Sequence, residues 1–287
     1  MRISLTTWNI GFYECYKNNR GEVEKWIIPY VENRETGKMI KKILSHSSDI
    51  IVLNEFGEKS NRPENPISGK EIVKALEENG YKCIATKNHY RSILIAIKED
   101  SGLRFGEEND LCGINYPFED RLFTSIYLPP ECKSIKTIRL LGVGVPPLDV
   151  KGEKKERIEQ FWNELILAHA KKHTYNENVA TIIAGDYNAF LYDDMASQGS
   201  SEFSHYLAEL NNLLFDSWRL NHSNIYQNKI KDKYDAWTWY SSNGIGRRLD
   251  YIFVSKNIIS TLNAEHFHEE RTAGYSDHSA VHITFEV

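Results

Sequence analysis

A chain of 287 residues that is 41% hydrophobic and 26% charged is long enough to bury a sizeable core and too apolar to be a disordered segment. Its net charge of -5 excludes a protein that coats nucleic acid by bulk electrostatics, while leaving room for local contact with phosphate. Cys15, Cys83, Cys112 and Cys132 lack CxxC spacing, the start lacks a secretory pattern, and no apolar run reaches the length of a membrane span, so a reducing, cytoplasmic setting without a membrane partner is expected.

In chain order, ISLTTW at 3–8 reads as a strand that stops at Asn9. TGKMIKKILSHS at 36–47 has a helical pattern, and DIIVLNE at 49–55 reads as a strand ending in Asn54-Glu55. GKEIVKALEENG at 69–80 is a short helix closed by a glycine where a C-cap favours one. Two strands follow, SILIAIK at 92–98 and TIRLLGVGV at 137–145. In GEKKERIEQFWNELILAHAKKH, Ile158, Phe161, Trp162, Leu165, Ile166 and His169 form one helical stripe. VATIIAG at 179–185 and RLDYIFVS at 248–255 are further strands. The last segment alternates Val281, Ile283, Phe285 and Val287 with Ala280, His282, Thr284 and Glu286, the period of a half-exposed strand. Strands alternating with helices, without an internal repeat or a long linker, predict one α/β domain over residues 1–287. The polar stretches 56–69 and 221–236 are expected to be loops over a cleft.

The strands end on groups that carry chemistry: Asn9, Asn54-Glu55, the pair Asp186 and Asn188 in GDYN, Asp250 in RRLDY, and Ser276-Asp277-His278 before the last strand. Strand ends in α/β folds converge on one face, and a few oxygen donors plus water suit magnesium, which polarises phosphoryl oxygens. Each piece also has a plain structural explanation. GDYN makes a turn held by its own side chains, His278 a boundary residue, Glu55 the start of a loop, and Asp250 a buried partner for Arg248.

The order WN, NE, GDxN, RxDY and SDH, spread over nearly the whole chain, resembles the endonuclease/exonuclease/phosphatase superfamily, which includes deoxyribonuclease I, exonuclease III, abasic-site endonucleases, sphingomyelinases and inositol-polyphosphate 5-phosphatases. The resemblance implies a deoxyribonuclease I-like four-layered α/β sandwich, with two mixed β-sheets packed face to face and flanked by helices. It implies Mg2+ as cofactor, with Mn2+ able to substitute. Glu55 is then the principal metal ligand, with Asn9 beside it and Asp277 near the metal. Asp186 orients or deprotonates the attacking water, Asn188 bonds a phosphate oxygen, and His278, oriented by Asp250, contacts the scissile phosphate. AWTWYSSNGIGRRLDYIFVS and LFDSWR are similar to segments of the exonuclease III and abasic-site branch, which points to nucleic acid, DNA before RNA, with no obligate protein partner. Trp237 and Trp239 are candidates to stack on a sugar or base, or else core aromatics.

One departure stands out. Where the family carries a catalytic His or Tyr, this chain reads Gly144-Val145-Pro146-Pro147. Loss of one preorganised donor costs roughly a hundredfold to a thousandfold in rate. His89, Arg91 and Arg247 are candidates to replace it. Arg247 also stands where abasic-site enzymes place an aromatic residue, which argues against abasic-site specificity. The lysines at 151, 154, 155, 171, 172, 229, 231 and 233, with Arg157, read as solvated faces or as grips on a phosphate backbone. Three readings stay open: a metal-dependent nuclease, the same chemistry on a phospholipid or small phosphorylated metabolite, and a binding module that has lost a catalytic side chain.

Overall fold

The strand Ile50–Asn54 is apolar along its length because both of its faces are covered. Ile50 and Val52 face a core between two sheets, whereas Ile51 and Leu53 face helices on the outside. The computed structural model describes residues 1–11, 16–17, 23–25, 35–56, 69–86, 92–106, 121–147, 155–173, 176–191, 201–223, 234–240 and 244–287.

One six-stranded sheet runs, edge to edge, Asn263–Phe267, Ala280–Glu286, Arg2–Asn9, Ile50–Asn54, Leu94–Lys98 and Tyr81–Ala85. The other runs Phe215–Asp216, Asp250–Val254, Val179–Asp186, Thr137–Gly144, Arg121–Tyr127 and Arg104–Phe105. Each sheet is antiparallel except for one central parallel pair: Arg2–Asn9 with Ile50–Asn54 in the first, and Val179–Asp186 with Thr137–Gly144 in the second. Both are mixed sheets.

The register of those pairs positions the site. Asn9 lies beside Asn54, so Glu55 follows at the same end, and Asp186 lies between Gly144 and Asp250. Carboxyl ends of the parallel strands deliver Asn9, Glu55 and Asp186 to one rim, and the amino ends of their antiparallel neighbours Asp250–Val254 and Ala280–Glu286 bring Asp250, Asp277 and His278 to the same rim.

Between the sheets, Ile3, Leu5, Val281, Ile283 and Phe285 meet Ile138, Leu140, Ile182, Ala184, Ile252 and Val254. Helices Thr36–Ser45 and Gly69–Glu78 cover the outside of the first sheet with Met39, Ile43, Ile72 and Leu76. Lys155–Gln160, Phe161–Leu167 with π-type bonding and Ala168–His173 run on without a break and cover the second. All six residues of the stripe from Ile158 to His169 are buried there. Burying each large apolar side chain stabilises the fold by roughly 1.5–3 kcal/mol, which sets helix, sheet, sheet and helix as four layers. Among the described residues no helix is long and apolar enough to cross a membrane.

Boundaries shift slightly from the sequence pattern. The DIIVLNE strand begins at Ile50, the SILIAIK strand at Leu94, and the RLDYIFVS strand at Asp250. Tyr81–Ala85, Arg121–Tyr127 and Asn263–Phe267 are strands that the pattern does not reveal. Most of the two expected loops, residues 57–68 and 224–233, lies outside the described residues.

Candidate active site

Three buried bonds join the sheets at the shared rim. Asn9 Nδ2 donates to Asp186 Oδ2 at 2.9 Å, Asn54 Nδ2 donates to the Val143 carbonyl, and His278 Nδ1 meets Asp250 Oδ2 at 2.8 Å. Gly185 makes the close approach feasible. Its φ is +146°, and a β-carbon there would lie 1.9 Å from the Val143 carbonyl oxygen and 2.9 Å from Asn54 Nδ2. The glycine before Asp186 is therefore set by sheet packing, a requirement that the sequence leaves unmarked.

GDYN is at once a turn and part of the site. The Asn188 backbone N–H donates to Asp186 Oδ1 at 2.8 Å, and Asn188 Nδ2 donates to the Val145 carbonyl at 2.7 Å and to Asp186 Oδ2 at 3.2 Å. Asn188 and Glu55 have positive φ, 45° and 52°, which for residues with a β-carbon stores strain of order 1–3 kcal/mol, typical of functional positions. With both amide hydrogens engaged, Asn188 must release one before it can bond a phosphate oxygen. Asn9 is similarly engaged, since its Oδ1 accepts from the Gly11 N–H at 2.8 Å.

The Ser276-Asp277-His278 segment is fixed from several sides. Ser276 Oγ donates to the Asn9 carbonyl at 2.7 Å and accepts from the His278 N–H at 3.1 Å, while Trp8 Nε1 donates to the His278 carbonyl at 3.1 Å. Thr238 Oγ1 accepts from the Leu249 and Asp250 N–H groups at 3.0 and 3.1 Å, fixing the other half of the His278–Asp250 pair. Thr238 is a support that sequence reasoning missed, and so is the bridging role of Ser276. A hydroxyl that bridges chain segments leaves no local pattern.

The electrostatics are strongly coupled. Burial raises Asp186 from its ordinary 3.8 to about 7, aided by the Asp250 and Glu55 charges, against the pull of His278 and the Asn188 N–H. Burial alone would lower His278, but Asp250, Asp277 and Asp186 outweigh it and hold the imidazole well above its ordinary 6.5. At neutral pH His278 thus carries its proton, with Nδ1 on Asp250 and Nε2 3.8 Å from Asp277 Oδ1. Asp186, Asp250 and His278 offer atoms within 4.8 Å of one another, a spacing that one ion can span. A protonated imidazole is nevertheless a better partner for phosphate than for a cation. Glu55, Asn9, Asn188 and Asp186 line one shallow hollow, with Gly144, Val145 and Pro147 on its wall. Gly144 adds no side chain to it.

Of the remaining candidates, Trp239 donates Nε1 to Asp277 Oδ2 at 2.9 Å and forms an isolated bridge with His278, which puts it beside the site. Trp237 instead packs on the inter-sheet core and against Gly246, where a β-carbon would lie 2.3 Å from its ring. It is the core aromatic, whose shape demands the glycine. Arg247 pairs in register with Trp239, and its guanidinium carbon lies 5.5 Å from the Trp239 ring and 5.1 Å from that of Phe190. Arg248 is fully buried and forks onto Asp216, with Nη1 to Oδ1 at 3.0 Å. Asp250 is therefore not its partner and stays with His278. His89, Arg91, Lys151, Lys154, Lys229, Lys231 and Lys233 lie outside the described residues. Lys155 and Lys171 pair with Glu202 and Glu209 on the surface, as solvated faces do.

Comparison with curated proteins gives no match. Among solved structures the chain is similar to the 3′ phosphatase NExo from Neisseria bound to product DNA hairpin, at 18% identity and TM-score 0.64 over 99% of this chain and 100% of that one. It is similar to the 3′-5′ exonuclease NExo from Neisseria meningitidis, at 18% identity and TM-score 0.65 over the same shares. An AP endonuclease from Archaeoglobus fulgidus matches at 16% identity and TM-score 0.61, again over 99% and 100%. These likenesses show a shared fold, the deoxyribonuclease I-like sandwich. The endonuclease/exonuclease/phosphatase family pattern itself matches residues 6–278, and the chain belongs to that family.

Proposed function

We propose that the protein is a divalent-metal-dependent phosphodiesterase that hydrolyses nucleic acid, DNA before RNA, by attack of water on the phosphodiester. The observation that carries this reading is the buried convergence of Asp186 with the Asp250–His278 pair at the rim where Asn9 and Glu55 end their strands. Similarity to DNA-processing structures supports the substrate class.

A metal fits the chemistry of the site. Asp186, Asp250 and Asp277 gather around one imidazole with Glu55 near enough to act on Asp186, and burial, aided by the Asp250 and Glu55 charges, pushes Asp186 up to about 7. Hard oxygen donors in such surplus suit Mg2+, with Mn2+ as a substitute, and Glu55, Asn9 and Asp277 would hold it. When bound, the ion supplies Lewis-acid polarisation of a phosphoryl oxygen.

The chain's own residues do the rest. Asp186, poised near neutrality, accepts a proton from water at its carboxylate, the property wanted of a general base. Asn9 and the Asn188 backbone fix that carboxylate's orientation. His278 keeps its proton because Asp250 shares it at Nδ1, leaving Nε2 to face a phosphate oxygen. Trp239 holds Asp277 in place.

Cleavage of supercoiled plasmid in Mg2+, Mn2+ and EDTA, beside Asp186→Ala and His278→Ala, tests the proposal. Metal-dependent nicking that falls about a thousandfold or more in each variant is expected. A folded protein that nicks nothing but hydrolyses a small phosphorylated substrate would move the assignment to that class, and one that also binds no metal would leave a binding module.

A further inference from the structure

Among the described residues, Arg247 is a cation beside the site with no part in the chemistry above. Its guanidinium carbon lies 5.1 Å from the Phe190 ring and 5.5 Å from the Trp239 ring, so aromatic faces hold the side chain. Both rings belong to the site's neighbourhood. Phe190 is two residues beyond Asn188 in the GDYNAF turn, and Trp239 donates to Asp277 and bridges to His278. The guanidinium therefore stands between the turn that carries Asp186 and Asn188 and the segment that carries Asp277 and His278.

Among the described residues no carboxylate pairs with it, and its buried Nε hydrogen has no acceptor. Burial lowers its pKa with no acidic neighbour to offset the effect. A half-buried cation without a counter-charge is well placed to take one from a ligand, and a guanidinium edge matches two phosphate oxygens. The nearby Asp277 is already bonded to the indole of Trp239.

We propose that Arg247 is a specificity-determining residue that grips a terminal phosphate of a nucleic-acid strand beside the reacting position. A phosphomonoester carries about -1.5 to -2 charge at pH 7, more than the single charge of a diester, so an uncompensated guanidinium selects it. This inference rests on the nucleic-acid reading above.

The test uses labelled nicked duplexes that end in a 3′-phosphate, a 5′-phosphate or hydroxyls, titrated by anisotropy in calcium with wild type, Arg247→Met and Arg247→Lys. Wild type is expected to bind one phosphate-ended duplex about tenfold or more tightly over the hydroxyl-ended one. In Arg247→Met that ratio collapses towards one, and Arg247→Lys, which keeps the charge but loses the fork, falls between. A wild-type ratio near one, or an unchanged ratio in Arg247→Met with a wild-type thermal midpoint, would overturn the proposal. Failure to bind any duplex would sink the nucleic-acid reading instead. Calorimetry with inorganic phosphate then decides the subsite separately: weaker binding in Arg247→Met and Arg247→Lys supports it, and equal binding in all three proteins overturns it.

Discussion

Gly185→Ala inserts a single methyl group where the strand Val179–Asp186 meets the neighbouring strand at Val143 and the Asn54 amide from the other sheet. The new carbon would sit 1.9 Å from the carbonyl oxygen of Val143 and 2.9 Å from Asn54 Nδ2, where real contacts of this kind essentially never fall below 3.0 Å. Relief requires a shift of about 1 Å in one of two central strands, and overpacking of that sort costs about 1–3 kcal/mol. Holding alanine at a φ of +146° adds about 1–3 kcal/mol. Displacing the buried Asn54 amide from Val143 adds about 1–3 kcal/mol again. Together these reach about 3–9 kcal/mol, a large share of the 5–15 kcal/mol that stabilises a typical protein. Urea denaturation should show the loss directly. Gly37→Ala is the control, because it lies in the helix Thr36–Ser45 with nothing within 4 Å of a new β-carbon. It should gain about 0.4–1 kcal/mol. A Gly185→Ala protein within about 1 kcal/mol of wild type would refute the packing argument.

The pH dependence has a definite sign. Asp186 is raised from 3.8 to about 7, so its contribution to metal-free stability is full below 3.8 and is lost as pH rises through about 7. His278 is raised too, so its contribution is full below 6.5 and is lost as pH rises through its higher folded value. In EDTA the unfolding free energy should fall by on the order of 3 kcal/mol between pH 5 and pH 8, and Mg2+ should restore part of it; a flat profile in urea melts would contradict the assignment. Arg248→Ala should destabilise by about 3–5 kcal/mol, because it strands the Asp216 carboxylate in the interior. Asp216→Asn with Arg248→Met should recover much of that in thermal melts, since asparagine still caps the helix Ser217–Asn221. Gly144→Tyr supplies a hydroxyl to the hollow lined by Glu55, Asp186 and Asn188, and should raise the nicking rate by about tenfold or more if a phosphate donor is what the wall lacks. No gain, with the fold intact by circular dichroism, would show that another group already serves.

The central strands and the rim were legible because burial on both faces demands long apolar runs, and the polar residues that end them break those runs abruptly. Ile50–Asn54 and Val179–Asp186 announce themselves in this way, and so do Asn9, Glu55 and Asp186 at the ends of such runs. Edge strands are quieter. Tyr81–Ala85 and Asn263–Phe267 bury little of their surface, so Lys82 and Glu265 interrupt the pattern. Pairings across long separations were illegible for a different reason. Asp216 finds Arg248 across an intervening loop, and nothing local to either residue excludes Asp250 as the partner. Trp237 and Trp239 look alike in sequence, and a continuous strand would put both on one face, yet Trp237 precedes the strand Trp239–Tyr240 and packs on the core while Trp239 reaches Asp277.

The first sheet holds both ends of the chain side by side, with Arg2 opposite Glu286. The strand Arg2–Asn9 lies between Ile50–Asn54, near it in sequence, and Ala280–Glu286, far from it. Asp277 and His278 come just before that distant partner, and Asp250 pairs with His278. Closing the first sheet and assembling the rim are therefore one event, and the loop-closure entropy of so distant a pairing makes it a late step of folding.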